Sequence, residues 1–193
     1  MSMHADASSP EDLWVFGYGS LMWRPGFDFV ERSPARLVGL HRALCVYSFV
    51  HRGTPERPGL VLGLDRGGAC KGVAFRVAAG QRAEAVAYLR AREQVTAVYR
   101  ESHRDITLLG REERRVPALT YIVDRGHPQY AGKLTIAQQL HHIRQAHGQS
   151  GANPDYVLAT VAALESLGCR DAELHRLAEK LKGPHERMQD AAI

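Results

Sequence analysis

Leu13-Trp14-Val15-Phe16-Gly17-Tyr18-Gly19-Ser20-Leu21 is an apolar run that ends in two closely spaced glycines. A short block of large hydrophobes bounded by glycine reads as a buried strand, Leu13–Tyr18, running into Gly19-Ser20. Glycine at a strand end lets successive backbone N–H groups point into one concavity. Such a nest holds a carboxylate or a phosphate. A plain tight turn is the other reading. The further glycine and the acidic residue of a dinucleotide site are missing, and no Walker lysine follows. Ser20 has no GxSxG elbow around it, so it does not read as a hydrolase nucleophile.

Outward from this strand the pattern alternates between periods. Val38–Tyr47 holds a second strand, and His51–Gly59, with two prolines and two glycines, is loop. Leu60–Leu64 and Gly72–Val77 flank Gly67-Gly68, which predicts a hairpin. Gln81–Thr96 is helical by composition and period. Tyr99–Leu109 and Val116–Val123 form another strand pair turning near Gly110. Thr135 with Gln138 has the spacing of a capping box, which predicts a helix through about His147. Gly148–Gly151 breaks it. Asn153-Pro154 supplies an N-cap and N1 pair for a helix ending near Gly168, and Asp171–Lys182 is a last amphipathic helix. Strands, one helix, strands, then three helices make an α+β fold with a helical C-terminal third. Residues 13–182 read as a single domain between loose tails at Met1–Asp12 and Gly183–Ile193.

The 193 residues are 45% hydrophobic, enough for a substantial core, and carry a formal net charge of +4. The charge is spread without a dense Lys/Arg block, so nucleic acid is not an expected partner, while a small anionic substrate suits the surplus. Three widely spaced cysteines, Cys45, Cys70 and Cys169, form no CxxC pair and fit a reducing cytosol. No apolar run approaches the ~20 residues that cross a bilayer, so no membrane partner is expected.

The helix Gln81–Thr96 contains one misplaced charge. Val86, Leu89 and Glu93 follow i, i+3, i+7 spacing and share a face. If Val86 and Leu89 face the core, Glu93 projects toward the same interior, one turn from the helix end. Desolvation and the negative end of the helix dipole both disfavour its anion, which suits a general acid or base near neutral pH. The competing reading is an ion pair with Arg90, Arg92 or Arg100. Arg52 reads equally as an anion clamp or as a solvated loop residue. Cys45, inside a strand, reads as a small buried hydrophobe. His141, His142 and His147 lack the spacing and neighbouring carboxylate of a zinc motif, so no metal is expected.

The ordered set of residues resembles the ChaC family of glutathione-specific γ-glutamylcyclotransferases. The likeness begins with Trp14-Val15-Phe16-Gly17-Tyr18-Gly19-Ser20-Leu21-Met22-Trp23. It continues through Arg52-Gly53-Thr54 with Pro58-Gly59, Gly72-Val73-Ala74-Phe75-Arg76, Arg92-Glu93 with Thr96 and Tyr99, His127-Pro128 with Tyr130, and Gly148, Gly151, Asn153 and Tyr156. The resemblance implies a barrel-like sheet with helices packed outside, a glycine loop at a cavity mouth, and a catalytic glutamate at Glu93. It places substrate contacts at Val15, Phe16, Gly17, Tyr18, Gly19, Ser20 and Leu21, with Arg52, Tyr99 and Tyr156. It implies cleavage of glutathione to 5-oxoproline and Cys-Gly in the cytoplasm, without cofactor. Other γ-glutamyl peptides or amines as substrates, or a non-catalytic regulatory role, are the alternatives. Three positions depart from the family pattern: Val50 where some relatives have Asp, Ala97 where Gly is usual, and Val157 where Leu is usual.

Overall fold

The computed structural model describes residues 11–183; the expected tails fall mostly outside that range. Asp12 lies within it. Its carboxylate accepts from Arg76 Nη1 at 2.7 Å and from the Ala79 amide at 3.0 Å, so contacts with the fold begin ahead of the first strand.

Five strands close into a mixed barrel in the order β1-β3-β2-β4-β5. They are β1 (Leu13–Gly17), β2 (Glu31–Ser48), β3 (Gly59–Val77), β4 (Tyr99–Leu109) and β5 (Glu113–Val123). β1 runs antiparallel to β3, with Leu13 opposite Val77 and Gly17 opposite Val73. It closes the barrel by pairing parallel to β5, Trp14 with Ala118 and Val15 with Leu119. Four helices lie outside: α1 (Arg82–Glu93), α2 (Ile136–Gln145), α3 (Asn153–Ser166) and α4 (Ala172–Leu181). A two-residue ribbon, β6 (His147–Gly148) with β7 (Gly151–Ala152), bridges α2 and α3.

Gly67-Gly68 does not turn a hairpin. β3 is one 19-residue strand that runs straight through it. Val38 pairs with Ala69 and Leu40 with Arg66, so Gly67 and Gly68 together oppose the single residue Gly39. All three glycines have positive φ, at 96°, 67° and 90° respectively. The glycines signal a left-handed backbone correctly, but here it makes a bulge that bends a long two-stranded ribbon. The actual β2–β3 connection is the loop 49–58. A second register shift, between Leu44 and Val46, leaves Cys45 as the extra residue on β2.

Alternation along β1 divides its side chains between two cores. Val15 packs with Leu13, Leu21, Val77 and Leu119 under Ala85 and Leu89 of α1. Phe16 and Tyr18 face the larger core, where Leu140 and Ile143 of α2, Val157 and Val161 of α3 and Leu174 and Leu177 of α4 meet Leu60, Leu62 and Leu64 of β3. Leu89 is fully buried, worth about 1.5–3 kcal/mol for a side chain of this kind, and Val86 is half-buried beside it. α1 ends at Glu93, earlier than the expected Thr96. Gln94 caps it by donating to the Arg90 carbonyl at 3.0 Å.

One helix start agrees with the spacing rules and two differ. The Thr135–Gln138 capping box is complete. α4 begins at Ala172, one residue later than expected, with Asp171 as its N-cap accepting from the Leu174 amide. Asn153, expected as an N-cap, is instead the first residue of α3, with Ala152 in the capping position. Its buried amide is used elsewhere, as described below.

Ala97 is the one non-glycine residue with positive φ among the described residues, at 58°. A β-carbon there crowds the following carbonyl, at a cost of about 1–2 kcal/mol that glycine escapes. Ala97→Gly is expected to raise the Tm by roughly 2–4 °C, since part of that relief is lost to the freer unfolded chain. A fall in Tm on thermal scanning would show that this turn tolerates the methyl group without strain.

Candidate active site

The end of β1, the loop after it, the C-terminus of α1, the start of β3 and the start of α3 enclose a cavity of about 340 Å³. β3 creates it by outrunning β1. Its pairing with β1 is confined to residues 73–77, so, among the described residues, residues 59–64 pair with β2 on one side and with no strand on the other. Backbone groups on that open edge need partners. Side chains supply them. Asn153 accepts from the Leu60 amide at 2.7 Å and donates to the Leu60 carbonyl at 2.8 Å. Tyr156 Oη accepts from the Leu62 amide at 3.2 Å, and Tyr99 Oη donates to the Leu62 carbonyl at 2.8 Å. The same alternation that sends Leu60 and Leu62 outward on one edge therefore gathers Asn153, Tyr156 and Tyr99 at one wall.

Glu93 stands at the end of α1 and lines the cavity. Its side chain is 18% exposed, so it is neither in bulk water nor sealed off. Burial pushes its carboxyl above the ordinary value, and Arg92 pulls the other way without cancelling the rise. Both sequence-level readings of Glu93 thus hold in part. Arg92 Nε lies 3.3 Å from Glu93 Oε1. Arg90 pairs with Glu101 and Arg100 with Asp124 instead.

Arg92 ties the carboxylate to the glycine loop. Its Nη2 donates to Ser20 Oγ at 2.8 Å, and its Nη1 donates to the Arg24 carbonyl at 2.6 Å. The loop winds into one 3₁₀ turn, Ser20–Met22, with the Met22 amide on the Gly19 carbonyl at 2.9 Å. The Tyr18 carbonyl is taken by Arg42 Nε at 2.6 Å. Among the described residues the amides of Gly19, Ser20 and Leu21 donate to no protein acceptor, as the first N–H groups of a helical turn do. They are the unpaired donors of the glycine loop.

Tyrosines line the cavity beside this loop. Tyr18 Oη donates to the Tyr121 carbonyl at 2.9 Å. Burial pushes the Tyr18 and Tyr99 hydroxyls well above their ordinary value, and that of Tyr156 up to about 12. All three therefore stay protonated at physiological pH. Tyr156 accepts from Leu62 and keeps its own O–H hydrogen free beside Gly19, where an added β-carbon would lie 3.2 Å from Oη.

Of the expected contact residues, Phe16, Tyr18, Gly19, Ser20, Leu21, Arg52, Tyr99 and Tyr156 line the cavity with Glu93. Val15 and Gly17 do not. Val15 belongs to the core under α1. Gly17 is a packing glycine, with room for its neighbour Leu21 only because it has no side chain: a β-carbon would come 2.8 Å from Leu21 Cβ. Arg52 is half-buried rather than solvated, held over the Tyr156 ring at 5.5 Å with Nη1 on the Ala152 carbonyl at 3.1 Å. The sequence reading missed Trp23, Arg24, Arg92 as an organiser, and Asn153. Arg92 and Trp23 stand inside motifs quoted above, adjacent to Glu93 and Met22. Val50 lines the cavity, while Val157 is buried in the helical core and Cys45 is buried with its thiol pushed up to about 12. No cluster of three His, Cys, Asp or Glu side chains is placed to hold a metal among the described residues. No described helix is long and apolar enough to cross a membrane.

A closed five-stranded mixed barrel with a cleft at the end of its first strand is the γ-glutamylcyclotransferase fold. The crystal structure of a yeast γ-glutamyl cyclotransferase specific to glutathione superposes with a TM-score of 0.83 at 23% identity, covering 91% of this chain and 98% of that one. The chain belongs to the ChaC-like protein family, whose profile matches residues 13–183. The glutathione-specific γ-glutamylcyclotransferase of Escherichia coli (strain K12) is 35% identical over 170 residues, 88% of this chain and 73% of that protein. Glutathione-specific γ-glutamylcyclotransferase 1 of Danio rerio is 34% identical over 163 residues, 83% of each.

Proposed function

We propose that this protein is a γ-glutamylcyclotransferase that cleaves glutathione to 5-oxoproline and Cys-Gly, with Glu93 as the general acid and base. One observation carries the reading. A carboxylate with a raised pKa lines the same cavity as three unspent backbone amides, joined to their loop through Arg92.

The γ-glutamyl residue carries its own nucleophile. Its α-amine attacks the γ-carbonyl, a C–N bond closes a five-membered ring, and the C–N bond to the cysteine nitrogen breaks. No water and no enzyme nucleophile enter. The α-ammonium sheds two protons overall, and the departing amide N–H gains two as it becomes the ammonium of Cys-Gly. Glu93 takes a proton from the attacking nitrogen and hands one to the leaving nitrogen. A carboxyl held above its ordinary range is a better base for this than an exposed one. The amides of Gly19, Ser20 and Leu21, with the free O–H of Tyr156, are hydrogen-bond donors for the substrate α-carboxylate or for the oxygen that gains charge on the γ-carbonyl. Holding the curled conformer is itself catalytic, because effective molarities of ~10⁵ M or more attend well-oriented ring closures. The three free thiols suit a reducing cytoplasm.

The direct test is release of 5-oxoproline and Cys-Gly, in equal amounts, from glutathione by the purified protein. An inert protein would sink the reading. Gly19→Ala places a methyl group against Tyr156 Oη and Leu62, in the floor of the nest. The variant is expected to raise KM about tenfold, a loss near 1.4 kcal/mol, with its Tm little changed. An unmoved KM would make the glycine a packing residue only.

A further inference from the structure

We propose that Arg92 is a positioning residue of the reaction. Its guanidinium, fixed by the loop Ser20–Pro25, sets a cation beside Glu93 and locks that carboxylate to the glycine loop. The proposal rests on the cyclotransferase reading above and adds a second residue to its machinery.

The position of the guanidinium comes from the loop, not from the carboxylate. Nη2 donates to Ser20 Oγ at 2.8 Å, and Nη1 reaches the Arg24 and Pro25 carbonyls at 2.6 and 3.3 Å. Nη1 also donates to Tyr88 Oη at 3.1 Å, one turn back on α1. Toward Glu93 the group presents Nε, at 3.3 Å. Consecutive residues on a helix point about 100° apart, so helical spacing alone does not bring residues 92 and 93 together. The loop acceptors turn the head of Arg92 toward its neighbour. A planar fork of donors can serve a hydroxyl, two carbonyls and a carboxylate at once, which an ammonium cannot.

The surroundings of the carboxylate give this cation a chemical role. Among the described residues Arg92 is the one cation within ion-pairing distance of Glu93. Burial pushes the Glu93 carboxyl up, and the Arg92 cation pulls it down. A base must be ionised before it can take a proton, so burial left unopposed works against turnover at neutral pH. The other groups around the pair do not replace the cation. Tyr18, Tyr99, Tyr121 and Tyr156 line the same cavity, and burial holds their hydroxyls in the protonated form. Tyr88, Arg24, Arg52 and His51 also line it, and the last three lie outside ion-pairing distance of Glu93. The charge of Arg92 thus acts on the base, while its fork acts on the loop whose free amides face the cavity.

Substitutions separate the two roles. The experiment measures kcat and KM for 5-oxoproline release from glutathione at pH 6 and pH 8, with Tm alongside, in wild type, Arg92→Gln, Arg92→Lys and Ser20→Ala. Titration of the substrate and of the other cavity groups is common to all four proteins. Loss of the cation leaves burial unopposed, so the acid limb of activity moves to higher pH. In Arg92→Gln the ratio of kcat/KM at pH 8 to that at pH 6 is expected to rise about threefold or more. Arg92→Lys keeps a cation but cannot span the loop acceptors. Its ratio should stay within about twofold of wild type while KM rises about fivefold, the scale of one hydrogen bond. Ser20→Ala should behave in the same way. A wild-type ratio in Arg92→Gln would overturn the proposal, because a merely structural arginine changes Tm or KM without moving the titration of the base. An unraised KM in both Arg92→Lys and Ser20→Ala would overturn the tie to the loop, and these two variants decide the matter if Arg92→Gln does not fold. No 5-oxoproline from the wild type at either pH would overturn the cyclotransferase reading itself.

Discussion

Glu93→Gln is expected to lower kcat for 5-oxoproline release by at least about 100-fold while raising the melting temperature at neutral pH. The two effects have one cause. Burial holds the folded carboxyl above its ordinary value, whereas the unfolded chain ionises it at that ordinary value. Stability from this group is therefore fully present at low pH and is lost as pH rises through the raised folded value. Glutamine keeps the shape and never ionises, so it removes that loss. Arg92 keeps its bonds to Ser20, the Arg24 carbonyl and Tyr88 in the variant, so no cation is stranded. Each kcal/mol recovered reads as about 2–4 °C in Tm for a chain of this length. The gap between variant and wild type should close as pH falls below the ordinary carboxylate range. In the wild type, activity should fall at acid pH with a midpoint above ~4.3, where a free glutamate would titrate. Turnover retained in Glu93→Gln would remove Glu93 as the base. A lower Tm at pH 7 would mean that the Arg92 contact outweighs desolvation.

The parts of this arrangement that were legible in the sequence are those set by local geometry. Apolar spacing on α1 put Glu93 on the face of Leu89, because helical phase needs no knowledge of the partner. The Thr135–Gln138 box is satisfied within one turn of chain, so the sequence states it fully. The errors came where a local signal has two tertiary uses. Gly67-Gly68 supplies positive φ for a turn or for a bulge, and only pairing with β2 decides between them. Asn153 carries an amide that suits a helix N-terminus, yet the edge of a strand 93 residues away claims it. Val15 and Phe16 are equally apolar, and only the closure of β1 against β5 sends one to α1 and the other to the cavity. Arg92 looked like one of three interchangeable partners for Glu93. Its role came from the folded path of Ser20–Pro25, which brings three acceptors to its fork.

Asn153→Ala should be the most damaging single change outside the chemistry, lowering stability by about 3 kcal/mol. The Asn153 amide mimics a neighbouring strand, exchanging one accepted and one donated bond with Leu60. Both residues are fully buried, so alanine leaves an amide and a carbonyl without water to replace the loss. The expected fall in Tm is roughly 6–12 °C. Asn153→Asp separates this role from helix capping. As a cap, aspartate serves as well as asparagine. As a strand mimic it keeps the bond from the Leu60 amide but turns an oxygen toward the Leu60 carbonyl, and two acceptors then face each other in a dry site. The aspartate variant should be destabilised at neutral pH and partly rescued in acid, where protonation restores a donor. Because the same helix turn carries Tyr156 onto Leu62, both variants should also raise KM for glutathione, since they loosen the wall beside Gly19. An aspartate variant as stable as wild type at pH 7 would return Asn153 to the role of an ordinary helix start and leave the edge of β3 to be held by its tyrosines.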